Sequence, residues 1–190
     1  MTIGTHENII NAFFRIAAKK DARLITMGEI AAEAHISRQA IYQKHFRTID
    51  EIIDEIHQII HQNTYSILNN FDPSHSTLNE YIAYELLPKL YQYRDWLKVL
   101  HSSNIDYNWQ HFVSKQYLPI IYPHLNKISN QLKLSKDFLA LFIVKYYVAI
   151  ISSWLLQDLP MPPELFGKYF LQLVDIPFAD YFDSVSYTHL

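Results

Sequence analysis

The chain has 190 residues, 49% of them hydrophobic and 15% aromatic, with a formal net charge of −3; this is enough apolar material for a substantial core in one large or two small domains, and too much for a disordered chain. It has no cysteine and only three glycines, Gly4, Gly28 and Gly167, which excludes disulfide frameworks, cysteine-based zinc sites, thiol nucleophiles, phosphate-cradling P-loops and dinucleotide-binding G-x-G-x-x-G turns. Charge is unevenly placed: residues 1–48 are net positive, with Arg15, Lys19, Lys20, Arg23, Arg38, Lys44 and Arg47 outweighing Glu7, Asp21, Glu29 and Glu33, so one end of an acidic protein is suited to a polyanion.

Ile9, Ile10, Phe13, Phe14 and Ala17 recur at helical spacing and predict a first helix from about Thr5, as N-cap, to Lys20. His6, Glu7 and Arg15 interrupt any continuous apolar run there, so a signal peptide is not expected and a cytoplasmic location is. In "TMGEIAAEA", Thr26 and Glu29 have capping-box spacing and open a short second helix with Ile30, Ala31 and Ala34 inward. After a break at His35-Ile36, Ser37 is placed to cap a third helix running through His45. Two short helices joined by a tight turn read as helix-turn-helix. Ile49, Ile52, Ile53, Ile56, Ile59, Ile60, Ile67 and Leu68 then trace one stripe of a long fourth helix, about 22 residues or roughly 33 Å.

The stretch "LITMGEIAAEAHISRQAIYQKHFRTIDEII", residues 24–53, resembles the DNA-binding domain of TetR/AcrR-type transcriptional regulators in the order and spacing of its helices. Beyond Phe71 the resemblance is one of architecture, to that family's helical ligand-binding and dimerisation half. Within it, "WLLQDLPMPPELFGKYFLQLV", residues 154–174, is similar to the end of the regulatory domain in Firmicutes-type members. The chemistry of the residues agrees. A recognition helix needs short polar groups near its N-terminus, here Ser37, Arg38 and Gln39, to approach base edges, with Arg38 suited to guanine and Gln39 to adenine. Tyr42, Gln43, Lys44 and His45 follow for the backbone, and Thr26, capping the second helix, presents N–H groups to a phosphate. Taken singly, each of these cations reads as a solvated helix face; the ordered pattern of caps, turn, aromatics and charges is what favours DNA.

Three departures from the family pattern stand out. Tyr42-Gln43-Lys44-His45-Phe46 holds one residue more than the usual Tyr-x-His-Phe, so the exit of the third helix is expected to be wider. Ile49 stands where a lysine is common, leaving Arg47 or Thr48 for that contact, and His35 replaces a turn glycine, implying a left-handed residue.

"NNFDPSHS", residues 69–76, is the clearest turn cluster and marks the boundary between a DNA-binding domain, 1–48, with its connecting helix, 49–71, and a second domain, 72–184. Helices are expected over about 77–92, 94–103, 107–131 with bends at Pro119 and Pro123, 135–158 and 163–174; no stretch alternates as a strand would, so the fold class is all-α. The second domain is dense in aromatics, mostly core fillers. Tyr84, Tyr91, Trp96, Trp109 and Tyr146 are the candidates to line a pocket for an unidentified small-molecule effector.

"FLALFIVKYYVAIISSWLL", residues 138–156, is long enough to raise a membrane span, but Lys145 near its centre costs about 2.5–3.5 kcal/mol on insertion. Burial in a partner explains it better, so the 135–158 and 163–174 helices are expected to form a homodimer interface. That fits two recognition helices about 34–36 Å apart on a palindromic operator. No nucleophile elbow or metalloprotease motif accompanies Ser102-Ser103 or the His57/His61 pair, so no enzyme activity, cofactor or metal is expected. The alternatives are a helical interaction module that has lost DNA binding and a metal-sensing regulator using His57 and His61. The terminal "VSYTHL", residues 185–190, leaves the helical pattern and coincides with one reading frame of a transposon end used in sequencing libraries; it is expected to be a non-native tail.

Overall fold

The computed structural model describes residues 4–102 and 109–177, without side chains at 101, 102, 109–111 and 114. Trp109's side chain and the expected 185–190 tail lie outside what is described. Among the described residues there is no β-strand.

Helix α1 (Thr5–Ala17) buries Ile9, Ile10, Ala12 and Phe13. Its N-cap is Gly4 rather than Thr5, and no side chain caps it, because Thr5 already has helical backbone and Gly4 O accepts the first bond, from Asn8 N. The helix also ends before Lys20: Lys19 N and Lys20 N both bond back to Ile16 O. That turn lets Lys20 Nζ reach Glu29 Oε1 at 2.7 Å.

Thr26 caps α2 (Met27–Glu33) with the full reciprocal capping box. Its end is a Schellman arrangement: His35 has φ 56°, Ile36 N bonds to Ala31 O at 3.0 Å, and His35 N to Ala32 O at 3.1 Å. Ser37 Oγ accepts from Ala40 N and opens α3 (Arg38–Lys44), which turns Ile41 inward. The extra residue at the exit is absorbed by a wider turn, with both His45 N and Phe46 N bonding to Ile41 O. Phe46 thereby still reaches the core.

Helix α4 (Ile49–Asn69), capped by Thr48, buries Ile52, Ile53, Ile56 and Ile60. The body begins with α5 (Leu78–Tyr81), capped by Thr77 and Glu80, and passes through a π-helical turn at Ile82–Leu86 into α6 (Leu87–Tyr91). Pro88 has no N–H to donate and its ring crowds the preceding turn, which is a cause for the local widening. Helix α7 (Arg94–Ser102) and α8 (Trp109–Ile121) follow, with Pro119 inside α8. The single bent helix expected over 107–131 is instead two: Pro123 opens a 3-10 turn at Tyr122–Leu125, leading to α9 (Asn126–Leu132).

Helix α10 (Lys136–Leu155) packs on α7 and α8, and α11 (Pro163–Asp175) on the π-helical turn and α6. Trp154 locks this end of the body. It is buried, stacks on Phe166 at 4.3 Å between centroids and on Tyr91 at 5.6 Å, and donates from Nε1 to Met161 O at 2.8 Å. One core runs through nearly all of these elements. The N-terminal helices meet the body where Phe14 of α1 stacks on Trp96 of α7, 4.9 Å apart and 8° from parallel.

Candidate nucleic-acid interface and internal cavity

Local hydrogen bonding fixes the helix-turn-helix. Arg15 Nε bonds to Glu33 at 2.6 Å, Lys20 to Glu29, and Arg23 to Asp21, so three cations of the basic end are taken up in holding α1, α2 and the intervening turn. The charge-assisted bond from Lys20 and those from Thr26 hold the Glu29 carboxyl down at about 2, and the Arg23 guanidinium does the same for Asp21. By contrast Arg38, Lys44 and Arg47 make no ion pair among the described residues. All three are exposed and cluster on and just after α3.

The α3 segment displays Ser37, Arg38, Gln39, Tyr42, Gln43 and Lys44 on the outside, Tyr42 being 47% exposed. Arg38 with Tyr42 and Gln39 with Gln43 are i,i+4 neighbours on the helix surface. The Arg38 guanidinium lies over α2, where a methyl at Gly28 would stand 2.7 Å from its Cζ. Gly28 therefore leaves the space in which Arg38 rests, a role the sequence did not disclose.

Lys44 and His45 part company. Lys44 is exposed, whereas His45 is half-buried with its ring 5.7 Å from His6, and His6 in turn sits 4.4 Å from Phe46. Burial, then the charges of His6 and Lys44, push the His45 imidazole below its ordinary value. Three of the proposed contact residues have structural duties as well. Thr26 Oγ1 and N both donate to Glu29 Oε2 at 2.9 Å, Thr48 Oγ1 caps Glu51 N at 3.2 Å, and Arg47 N donates to Glu51 Oε2 at 2.6 Å. The Arg47 side chain stays exposed, and Ile49 is half-buried against the core.

Between α4, the π-helical turn, α8 and α10 lies a cavity of about 130 Å³, walled by aliphatic and aromatic side chains such as Leu86, Leu97, Phe112, Val113, Val144 and Val148. Among the described residues its polar side chains are His61, Tyr117, Tyr147 and Ser152. Of the residues expected at a pocket, Tyr84, Tyr91, Trp96 and Tyr146 do not line it, and the Trp109 side chain lies outside the described residues. Tyr84 and Tyr146 are 57% and 38% exposed, Tyr91 stacks on Trp154 and donates to Pro160 O at 3.3 Å, and Trp96 covers Phe14. One member of the polar lining has a sequence signal: His61 interrupts the apolar stripe of α4. His57 and His61 face Phe112, with His57 stacked on it at 4.8 Å. Among the described residues no group of three metal-ligating side chains exists.

No family model matches the chain. It is 22% identical over 166 residues to the uncharacterized HTH-type transcriptional regulator YxbF of Bacillus subtilis (strain 168), an alignment covering 86% of this chain and 43% of that protein. The chain thus spans less than half the length of that curated relative. Among solved structures, a TetR transcriptional regulator from Streptococcus agalactiae 2603V superposes with a TM-score of 0.61 at 23% identity, over 90% of this chain and 93% of that one. The dihydroxyacetone kinase operon activator DhaS superposes at 0.57 and 18%, over 91% and 95%. In the order of its helices and in these likenesses the chain has the TetR-like, all-helical fold, with a helix-turn-helix at its N-terminus.

Proposed function

We propose that the protein is a cytoplasmic, homodimeric transcription regulator, with residues 1–48 binding a palindromic DNA operator and the body, 72–184, binding a small-molecule effector and dimerising. The observation that carries this reading is where the cations go: Arg15, Lys20 and Arg23 of α1 and the following turn are spent on internal carboxylates, whereas Arg38, Lys44 and Arg47 on and just after the recognition helix are exposed and, like Lys19, make no ion pair among the described residues. Exposed Ser37, Gln39, Tyr42 and Gln43 supply hydrogen bonds on the same helix. Between the two candidates for the contact usually made at the start of the fourth helix, Arg47 is favoured by its exposed guanidinium, since the Thr48 hydroxyl is occupied as a cap. Lys44, with its ammonium outward, is assigned the phosphate contact ahead of His45.

The dimer reading rests on a face of α10 and α11. Phe138, Leu141, Phe142 and Tyr146 are exposed along one helix, as are Leu165 and Tyr169 along the next. Helix α10 is long and apolar enough to cross a membrane by length and composition, with mean hydropathy 1.9. Lys145 in its middle and its packing on α7 and α8 favour a protein partner over lipid. Doubling the α10/α11 pair about a two-fold axis makes a four-helix interface. An effector in the cavity would bear on α4, which begins where the recognition helix ends, and would shift the population of DNA-competent dimers. Repression by occlusion of a promoter needs no further contact surface and is the simpler output; DhaS, named an operon activator, has the same fold.

The test is a fluorescence-anisotropy titration against DNA flanking the protein's own gene at several salt concentrations, with a Tyr42→Ala/Lys44→Ala variant alongside. Tight, salt-dependent binding that is lost in the variant supports the regulator. Binding no better than to scrambled DNA in both proteins supports an interaction module instead.

A further inference from the structure

Gly28 has no conformational reason to be glycine. It is the second residue of α2, its backbone is helical, and no glycine among the described residues has the left-handed φ that would demand one. A glycine there weakens a helix of only seven residues relative to alanine. What the missing side chain provides is room. A methyl at Gly28 would stand 2.7 Å from Arg38 Cζ and 2.9 Å from Nε, where non-bonded carbon atoms rest about 3.5–4.0 Å apart. Its three nearest neighbours would all be atoms of that one guanidinium.

The contact ties α2 to the first residue of α3 on the exposed side of the helix-turn-helix. Arg38 makes no ion pair among the described residues, so the placement of its long arm rests on packing against Gly28. An arginine loses rotamer freedom when it binds, and an arm already seated has less to lose. Reading a base with two parallel hydrogen bonds tolerates about 0.5 Å of misplacement. Making room for a methyl at Gly28 would move the guanidinium by roughly 1 Å.

We propose that Gly28 is a specificity-determining residue of the DNA interface: its bare backbone seats the Arg38 guanidinium against α2, in the position from which Arg38 reads a guanine. Gly28 touches no base and acts through Arg38, as a positioning residue. This rests on the DNA-binding reading of α3 and adds a residue of α2 to it.

The experiment selects binding sites from random double-stranded DNA with full-length protein, then titrates the selected site carrying each of the four bases at every position. Wild type, Gly28→Ala, Arg38→Ala and the double variant are compared, each with a thermal melt. Wild type is expected to select a guanine in each half-site whose preference disappears in Arg38→Ala. Gly28→Ala should lose about tenfold of discrimination at that same position, keep its preferences elsewhere, and melt at or above the wild-type temperature. Added to Arg38→Ala, it should change nothing. Full discrimination at that guanine in Gly28→Ala overturns the inference. So does a loss at every position that persists in the Arg38→Ala background, or a Gly28→Ala protein that melts well below wild type, since Gly28 would then serve the fold. Arg38→Ala that weakens all sequences alike would put Arg38 on a phosphate and overturn it too. A wild-type protein that selects no site overturns it together with the DNA-binding reading.

Discussion

Replacing Lys44 or His45 by alanine separates the two candidates for the phosphate contact at the exit of α3. Lys44 is exposed and unpaired, whereas His45 is half-buried against His6 with its pKa pushed down, so at mildly alkaline pH only Lys44 brings a cation to DNA. Each phosphate neutralised contributes about 0.9 to the slope of log K against log salt. A dimer presents Lys44 twice, so Lys44→Ala should lower the magnitude of that slope by about 1.8. Between about 50 and about 200 mM salt, a slope change of that size compresses the ratio of wild-type to variant affinity by roughly 12-fold. His45→Ala should leave the slope unchanged. Anisotropy titrations at four or more salt concentrations measure both, and far-UV circular dichroism verifies that the variants fold. A slope lowered by about 1.8 in His45→Ala but not in Lys44→Ala would refute the reasoning, since the half-buried ring would have to turn outward and charge on the duplex.

Phe142→Glu places a charge in the middle of the exposed α10 face; if the proposed dimer forms there, the variant should run as a monomer in light scattering and bind operator more weakly, and a dimer that survives would move the interface elsewhere. Thr64→Val strands the Tyr117 hydroxyl inside the body and should cost about 1–3 kcal/mol in urea unfolding, most of it recovered by adding Tyr117→Phe, because replacing both partners is nearly neutral. The pH dependence has a definite sign. His45 and His61 are held below the ordinary 6.5, so as pH falls through that value the unfolded chain takes up protons that the folded chain refuses. Stability should therefore fall with decreasing pH below 6.5 until the folded pKa values are passed, and His61→Leu should flatten the slope of Tm against pH in that window.

Local chemistry was the legible part of the sequence. Thr26, Ser37 and Thr48 all cap helices, and each of the first two lies within a few residues of the groups it organises, so spacing alone identified them. The left-handed His35 and the wide exit after Tyr42 were legible only against the pattern of the family the chain resembles, and both are settled within one turn of backbone. The cavity was not. Which of many tyrosines faces an internal space depends on how α4, α8 and α10 pack together, and aromatic density marks core and pocket alike. Tyr91 and Trp96 are large and central in the sequence, yet they serve as packing pieces against Trp154 and Phe14. The sequence suggests a bend at Pro123, where the chain instead passes from one helix through a 3-10 turn into another, because a proline fits the first turn of a new helix as readily as it kinks an old one.

The coupling proposed between cavity and operator has two mechanical routes, and the structure makes them unequal. Helix α4 runs unbroken from its Thr48 cap to His61, roughly 18 Å at 1.5 Å per residue, so a ligand bearing on α4 from the cavity would act on a rod whose other end adjoins the third helix. The second route, Phe14 on Trp96, is a nearly parallel stack without a hydrogen bond, and parallel rings slide at small cost. Tilting α4 therefore does not require α1 to break from the body; it requires Phe14 to slip across Trp96 while the ion pairs Arg15–Glu33 and Lys20–Glu29 carry α1 and α2 together. On the proposed coupling the helix-turn-helix would then move as one piece, carrying its exposed cations with it.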